Sequence, residues 1–225
     1  MPKKISFKKD KFLTKILKKN CYNIKGNLKN KIVLKTKSFY QYKIKNINKK
    51  QEKILKDKKF NLIETSLVFF GKYRIRRLPN NVKAESLTKK VKLSKELFKF
   101  EKSRFFKDKK IPSKLAINFK KNWINNFFKG KRGDKLYIVK KKDLILGYLL
   151  MIIKKDTALI DLINIKKKYR NKGYAKELIN QSFVNNKRIK FLKAGTQQTN
   201  IGAIKFYKSI GLRLKEKYLV FHLHT

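Results

Sequence analysis

Within one turn, Tyr169-Arg170-Asn171-Lys172-Gly173-Tyr174-Ala175 places cations, an unhindered glycine and a small residue between an apolar strand and a helix. Upstream, Ile160-Asp161-Leu162-Ile163-Asn164-Ile165 reads as a buried strand. Downstream, Leu178, Ile179, Ser182 and Phe183 recur at helical spacing. A turn so placed aims backbone N–H groups, backed by the positive end of the helix dipole, at a doubly charged pyrophosphate. Gly173 lets the backbone approach closely and admits positive φ. Arg170 adds a cation able to bind in bidentate fashion, and Ala175 keeps the first helical turn thin. An ordinary strand-to-helix turn has the same outline, so the loop gains meaning only from its surroundings.

Those surroundings repeat the pattern. Arg188 to Ala194 reads as a strand, followed by Gly195-Thr196-Gln197-Gln198-Thr199-Asn200 and then a helical period through Ile201, Ile204, Phe206 and Tyr207. Asn200 suits the N-cap and Gly211 the C′ position.

Arg170-x-x-Gly173-x-Ala175 resembles the acetyl-CoA pyrophosphate loop of the GNAT superfamily of N-acyltransferases, with Ala175 where many members have Gly. Asn200-x-x-Ala203-x-x-x-Tyr207-x-x-x-Gly211 is similar to the second signature of that superfamily. Ser103-Arg104-Phe105, with Asp108, Ile111-Pro112 and Trp123-Ile124-Asn125-Asn126, narrows the likeness to bacterial amino-sugar N-acetyltransferases of the dTDP-fucosamine type (dTDP-4-amino-4,6-dideoxygalactose). Gly195-Thr196-Gln197 and Phe60 to Phe69 add to it. The resemblance covers 103–225 well and is faint before residue 90.

It implies an α/β GNAT fold, in which a mixed central sheet splays where 162–165 meets 190–195. Acetyl-CoA is then the acyl-donor co-substrate. The backbone of Leu162, Ile163, Asn164 and Ile165 takes the pantetheine arm, and an amide such as that of Ile163 steadies the oxyanion. Arg170, Asn171, Lys172, Gly173, Tyr174 and Ala175 take the pyrophosphate, and Asn200 holds the cofactor by its side chain. Tyr207 is the expected general acid toward the thiolate; a buried core aromatic is the plain alternative. Asp161 occupies the position of a carboxylate base, although a salt bridge to a lysine explains it equally well. Arg104, Asn126, Gln197 and His222 are the expected acceptor contacts. His222 and His224 share a strand face, and two histidines without a third ligand make a poor metal site, so no metal is expected.

Composition sets the bounds. With 41% hydrophobic and 12% aromatic residues in 225, the chain can bury a core despite a net charge of +49. The longest apolar run, Leu144 to Ile153, is too short to span a bilayer and reads as a central strand. No apolar signal core follows Met1, and lone Cys21 can form no internal disulfide, so a cytoplasmic protein is expected. Only eight of the 63 basic residues are Arg, and lysine is scattered through every segment. Dedicated nucleic-acid surfaces cluster charge and favour Arg, so no specific nucleic acid is expected. Lys, Asn and Ile share A/T-rich codons, a sufficient source for much of the excess, and the positive field would still draw in anionic substrates.

Residues 1–95 read as a smaller N-terminal α/β subdomain, with strands near Lys31 to Leu34 and Leu62 to Phe70 around a polar helix at Gln51 to Lys58. Leu78-Pro79-Asn80-Asn81 punctuates the chain. Residues 96–225 form the acyltransferase domain. In it Ser113 caps a helix carrying Leu115, Ala116, Phe119, Trp123, Ile124 and Phe127 on one face. Strands follow at about 136–140, 143–153 and 157–165, and Tyr218 to His224 closes the sheet. The function expected is acetylation of a nucleotide-linked amino sugar for surface polysaccharide, and a homodimer is compatible with it. The competing readings are acetylation of a protein N-terminus or small amine, and an RNA- or ribosome-associated binder on the same scaffold.

Overall fold

The computed structural model describes residues 4–29, 32–75 and 84–225. Ten strands form a single mixed sheet whose spatial order is unlike its chain order. At one end lie β1 (Ser6–Lys9), β2 (Asn20–Lys25) and β3 (Ser38–Ile44). The C-terminal strand β10 (Arg213–His224) follows, then β4 (Asn61–Lys72), β9 (Phe191–Gln197), β8 (Thr157–Ile165), β7 (Leu144–Lys154), β6 (Lys135–Lys141) and β5 (Ala84–Ser86). Residues 1–95 thus share one sheet with the rest, and β4 lies at its centre between β9 and β10. Among the described residues, only the β2–β3 and β8–β9 pairs are parallel.

Helices cover both faces. On one face α5 (Tyr174–Val184) and α6 (Ile201–Ser209) close a core with Leu67, Phe69, Leu149, Met151 and Leu192. On the same side α2 (Lys49–Asp57) packs on Tyr40, Tyr42, Phe221 and Leu223. The opposite face carries α1 (Lys11–Leu17), the single turn α3 (Arg104–Lys107) and α4 (Ser113–Phe127), around Phe39, Phe105 and Phe119. A 3-10 turn at Lys95–Phe98 packs there on Tyr148 and Leu150. Covered on both sides, β7 is apolar at every residue from Leu146 to Met151 except Gly147, as the continuous run in its sequence required.

Several expectations shift. No strand forms at 32–34: Ile32 and Leu34 lean on the α2 core, while Val33 is 88% exposed and nothing pairs with the segment. The strand expected over 188–194 starts at Phe191 and takes in Gly195, Thr196 and Gln197, because these pair with β4. Ser113 is the first residue of α4 and not its cap. The boundary falls at Pro112, whose carbonyl accepts from Leu115 and Ala116 at 2.9 and 3.1 Å. The punctuation at Leu78 to Asn81 lies outside the described residues.

Gly147 sits where β7 crosses the end of β8, paired with Ile165. An added methyl would meet Ile165 Cδ1 and, at 2.7 Å, the Asn164 carbonyl oxygen. Gly147→Ala is therefore expected to destabilise by about 1–3 kcal/mol, read as a lower urea midpoint at unchanged m-value. A wild-type midpoint would mean that the two strands are not this close.

Candidate active site

The site begins with a misfit between ladders. Leu150 pairs with Leu162 and Met151 with Ile160, which leaves Asp161 as an extra residue on β8, a bulge that bends the strand. On the other side β8 pairs with β9 only from Thr157/Phe191 to Ile160/Ala194. Past that point β9 continues along β4, with Gly195, Thr196 and Gln197 opposite Val68, Leu67 and Ser66. The strands therefore diverge, and the β9-side edge of Leu162 to Ile165 has no strand partner among the described residues. Such an edge is a template for an extended amide chain.

A polar clamp holds that edge. Asn164 Nδ2 donates to the Leu97 carbonyl at 2.9 Å, and Tyr148 OH reaches the same oxygen at 3.3 Å. Arg170 Nε donates to the Ile165 carbonyl at 3.0 Å, and its Nη2 reaches Asn164 Oδ1 at 3.3 Å. Arg170 thus ties the turn to the strand it leaves. Asn171 and Gly173 both take positive φ, 61° and 81°, and Gly173 occupies the N-cap position of α5 without a side-chain cap. The first N–H groups of α5 are therefore available to an anion. A thioester arm laid along β8 would carry a diphosphate toward this turn, so the residues present fit acetyl-CoA.

At the start of α6, Asn200 Oδ1 accepts from the Ala203 N–H at 3.3 Å. Its cap role accounts for that oxygen and leaves the amide nitrogen for a ligand. Gly211, at φ +89°, ends the helix with Gly211 N to Lys208 O at 2.9 Å and Leu212 N to Tyr207 O at 3.0 Å, a paired C-terminal closure. Tyr207 is buried against Phe69 and Phe206. Burial pushes its phenol well above the ordinary range, so it stays protonated.

The opposite face of the sheet holds the polar surprise. Among the described residues, the buried side-chain polar atoms without a hydrogen bond belong to Gln41, Glu64, Ser103, Arg104, Trp123 and His222. All six lie on the face covered by α3 and α4. Arg104 Nη1 stands 4.0 Å from Glu64 Oε1, and Gln197 lies beside that carboxylate. Burial raises the Glu64 carboxyl, against the pull of Arg104, Lys107 and Lys120. Orphaned buried atoms cost about 1–3 kcal/mol each, and these gather into one polar cluster beneath α3 and α4. Lys107 Nζ donates to Thr199 Oγ1 at 2.7 Å and joins α3 to the loop before α6.

Asp161 is held by Arg132 through two bonds, 2.6 and 2.7 Å, so the lysine partner expected for it is an arginine. Arg132 and Lys120 both lie 3.8 Å from the Trp123 ring centre. Burial first, and then Arg104, bring the Lys120 ammonium down to about 7. His222 is buried and His224 half-buried, and Asp108 Oδ2 joins them at 2.7 and 2.8 Å. The donor atoms of these three lie within 4.8 Å of one another. One oxygen that receives both rings describes a hydrogen-bonded group. Burial opposes the Asp108 charge, but the bonds from His222 and His224 outweigh it and hold the carboxyl well below the carboxylate range.

Of the expected acceptor contacts, Arg104, Gln197 and His222 belong to this polar cluster. Asn126 is placed otherwise: its carbonyl accepts from Lys131 at 2.8 Å and organises the turn that carries Arg132. Glu64, Lys120 and Gln41 are additions that the site reading passed over, and Asp108, named there only as part of a motif, now has partners. The rarity of acids in this chain is the signal that would have singled out two of them.

Residues 95–212 match the profile of the Acetyltransferase (GNAT) family. A spore coat polysaccharide biosynthesis protein, SpsD, of Bacillus subtilis is 27% identical over 128 residues, 55% of this chain and 43% of that protein. The chain therefore spans less than half the length of this curated relative. Among solved structures, a GCN5-related N-acetyltransferase from Sphaerobacter thermophilus aligns with a TM-score of 0.56 at 9% identity, covering 97% of this chain and 75% of that one. A conserved protein of unknown function from Staphylococcus epidermidis aligns at 0.60 and 10% identity, covering 83% and 73%. At these identities the likeness is one of fold.

The state of Lys120 is open to a direct test. Unfolded, its amine titrates near 10.5, and folded near 7. Between those values the unfolded chain holds a proton that the folded chain lacks, so this lysine makes stability rise with pH across that window. Lys120→Met is expected to stabilise by about 1–4 kcal/mol near pH ~6, with the gain fading toward pH ~10. A gain in urea midpoint that is independent of pH would show that the amine is not held in a dry site.

Proposed function

Because the chain belongs to the acetyltransferase (GNAT) family, we propose that it moves the acetyl group of acetyl-CoA onto the amine of a nucleotide-linked amino sugar. The observation that carries the acceptor class is the set of orphaned polar atoms gathered on one face beside the diverging strands. A polyhydroxylated amine offers donors and acceptors in the number such a cluster needs, whereas an aliphatic amine would leave most of them unmet. The relative in spore coat polysaccharide biosynthesis points the same way, toward surface polysaccharide.

In this reading the free edge of Leu162 to Ile165 aligns the pantetheine arm, and an amide of β8, that of Ile163, steadies the developing oxyanion. The turn from Arg170 to Ala175 and the amide nitrogen of Asn200 hold the diphosphate end. Glu64 takes the proton of the attacking amine. Its raised affinity for protons and its looser pairing, with Arg104 no nearer than 4.0 Å, suit it to that work better than Asp161, which Arg132 holds in a bidentate pair. Asp161 then positions Arg132 over Trp123 of this cluster. As the new C–N bond forms and the C–S bond breaks, Tyr207 gives its proton to the departing thiolate. Residues 1–95 contribute Gln41 and Glu64 to the acceptor wall, and 96–225 carry the whole cofactor side.

Acetyl-CoA turnover, followed by thiol release, tests this with dTDP- and UDP-linked 4-amino sugars beside spermidine and a peptide amine. Release that depends on one sugar nucleotide is expected. Release with the peptide or spermidine alone would move the acceptor to a protein or small amine. Tyr207→Phe and Glu64→Gln are each expected to lower kcat about 10²–10⁴-fold while leaving acetyl-CoA affinity within about twofold. Equal loss of both quantities would remove the residue from proton transfer. Gly173→Val should instead weaken acetyl-CoA binding, since a branched side chain at positive φ crowds the phosphate turn; unchanged affinity would mean that the diphosphate lies elsewhere.

A further inference from the structure

His222 and Gln41 are direct partners across the β10–β3 ladder, and each ends in a buried acceptor atom that no donor meets. The surroundings dictate which atom that is. Lys19 Nζ lies 3.0 Å from His224 Nδ1, and an ammonium only donates. His224 therefore carries its proton on Nε2 and donates it to Asp108 Oδ2. The same oxygen, on a carboxyl held ionised by its two histidines, receives His222 Nδ1–H. Burial keeps the His222 ring neutral, so its Nε2 is a bare lone pair.

The second acceptor is fixed in the same manner from another direction. Asp10 Oδ2 can only accept, so Asn23 turns its Nδ2 toward it at 2.9 Å. Asn23 Oδ1 then faces Gln41 Nε2 at 2.8 Å, which leaves Gln41 Oε1 as the free end. Two carboxylates thus impose one polarity on two neighbouring side chains. Gln41 also lines an open groove with Lys9, Asn23, Lys43 and Tyr218.

We propose that Gln41 Oε1 and His222 Nε2 form a two-point hydrogen-bond acceptor for a pair of neighbouring hydroxyls on the acceptor substrate. This rests on the amino-sugar reading above and deepens it. Both atoms are neutral and accept only. A phosphate or carboxylate offers them nothing, and an ammonium is drawn to Glu64 on the adjacent strand, where Val220 of β10 pairs with it. A vicinal diol satisfies both acceptors at once, and a deoxy analogue leaves one orphaned. Asp108 and Asp10 are the positioning residues, acting through His222 and Asn23.

Nitrogen-15 spectra of the His222 ring in the full chain test this, recorded with and without UDP-glucose. That ligand has vicinal hydroxyls and no amine to react. The expected result is a ring protonated at Nδ1 whose bare Nε2 resonance shifts on adding UDP-glucose and stays put on adding acetyl-CoA. Gln41→Leu and His222→Phe are each expected to weaken UDP-glucose binding about tenfold with acetyl-CoA affinity unchanged. A proton found on Nε2, or an Nε2 resonance unmoved by millimolar UDP-glucose, overturns the proposal. A shift that persists while no amino sugar is acetylated supports the diol site and sinks the transferase reading alone.

Discussion

With Leu150 opposite Leu162 and Met151 opposite Ile160, β8 carries one residue more than its partner at Asp161, and the rest of the molecule is arranged around the bend this makes. The parallel pairing with β9 stops at Ile160 and Ala194, one residue before the bulge on β8. An unpaired strand edge inside a sheet is costly unless something else holds it. Here the 3-10 turn at Lys95–Phe98 and Arg170 grip the end of β8 from two sides, through Asn164 and the Ile165 carbonyl. Glu96 accepts from the Lys167 N–H at 3.0 Å and closes the same clamp. The parting of the strands is therefore built in before any ligand arrives. Gly147 is required in β7 because a side chain there would strike the clamped end.

The gap divides the labour between the two faces of the sheet. Behind it, α5 and α6 pack an apolar core that is fully satisfied and presents Tyr207 from a rigid helix. In front of it, α3 and α4 cover Glu64, Arg104, Trp123 and His222, each with a buried polar atom that lacks a hydrogen bond. A fold tolerates that debt only when the surrounding packing over-determines it, and Phe39, Phe105 and Phe119 provide such packing around this cluster. The central position of β4 follows from the same need. It carries Leu67 and Phe69 toward the helices that hold Tyr207, and Glu64 toward the polar cluster, so one strand from the N-terminal part serves both faces.

The two strand–helix turns were largely legible in the sequence, because glycine, proline and caps act locally. Gly173 at positive φ, Asn200 capping α6 and Gly211 closing it follow from residue type and spacing alone. The buried face of α5, with Leu178, Ile179, Ser182 and Phe183, was visible as a helical period. The polar cluster beneath α3 and α4 was not legible, because its residues come together only through strand order. Gln41, Glu64 and His222 are far apart in the chain, and nothing local says that β10 inserts between β3 and β4. Lysine hid the first elements as well: β1, α1 and β2 carry so many that no apolar period stands out. Lys120 is the extreme case, since its stem and amine are buried on the apolar face of α4 where the pattern calls for a hydrophobe.

The scarcity of acids, 14 against 63 basic residues, changes what each of them means. In a field this positive an exposed carboxylate finds a cation anywhere, so position carries little information. A buried one is different, because it gives up water and must be matched in place. Asp108 is matched by two histidines, and the half-buried Asp161 and Asp10 are matched likewise, by the fork of Arg132 and by Asn23 with the N-terminus of α1, where Leu13 N–H donates to Asp10 at 2.9 Å. Glu64 breaks the series. It is 4% exposed, with Arg104 only at 4.0 Å and Gln197 beside it. The surrounding cations supply potential that helps to keep such a loosely held group within the fold. The unusual charge of the chain thus accommodates a carboxylate, its proton affinity raised by burial, one strand from the gap between β8 and β9.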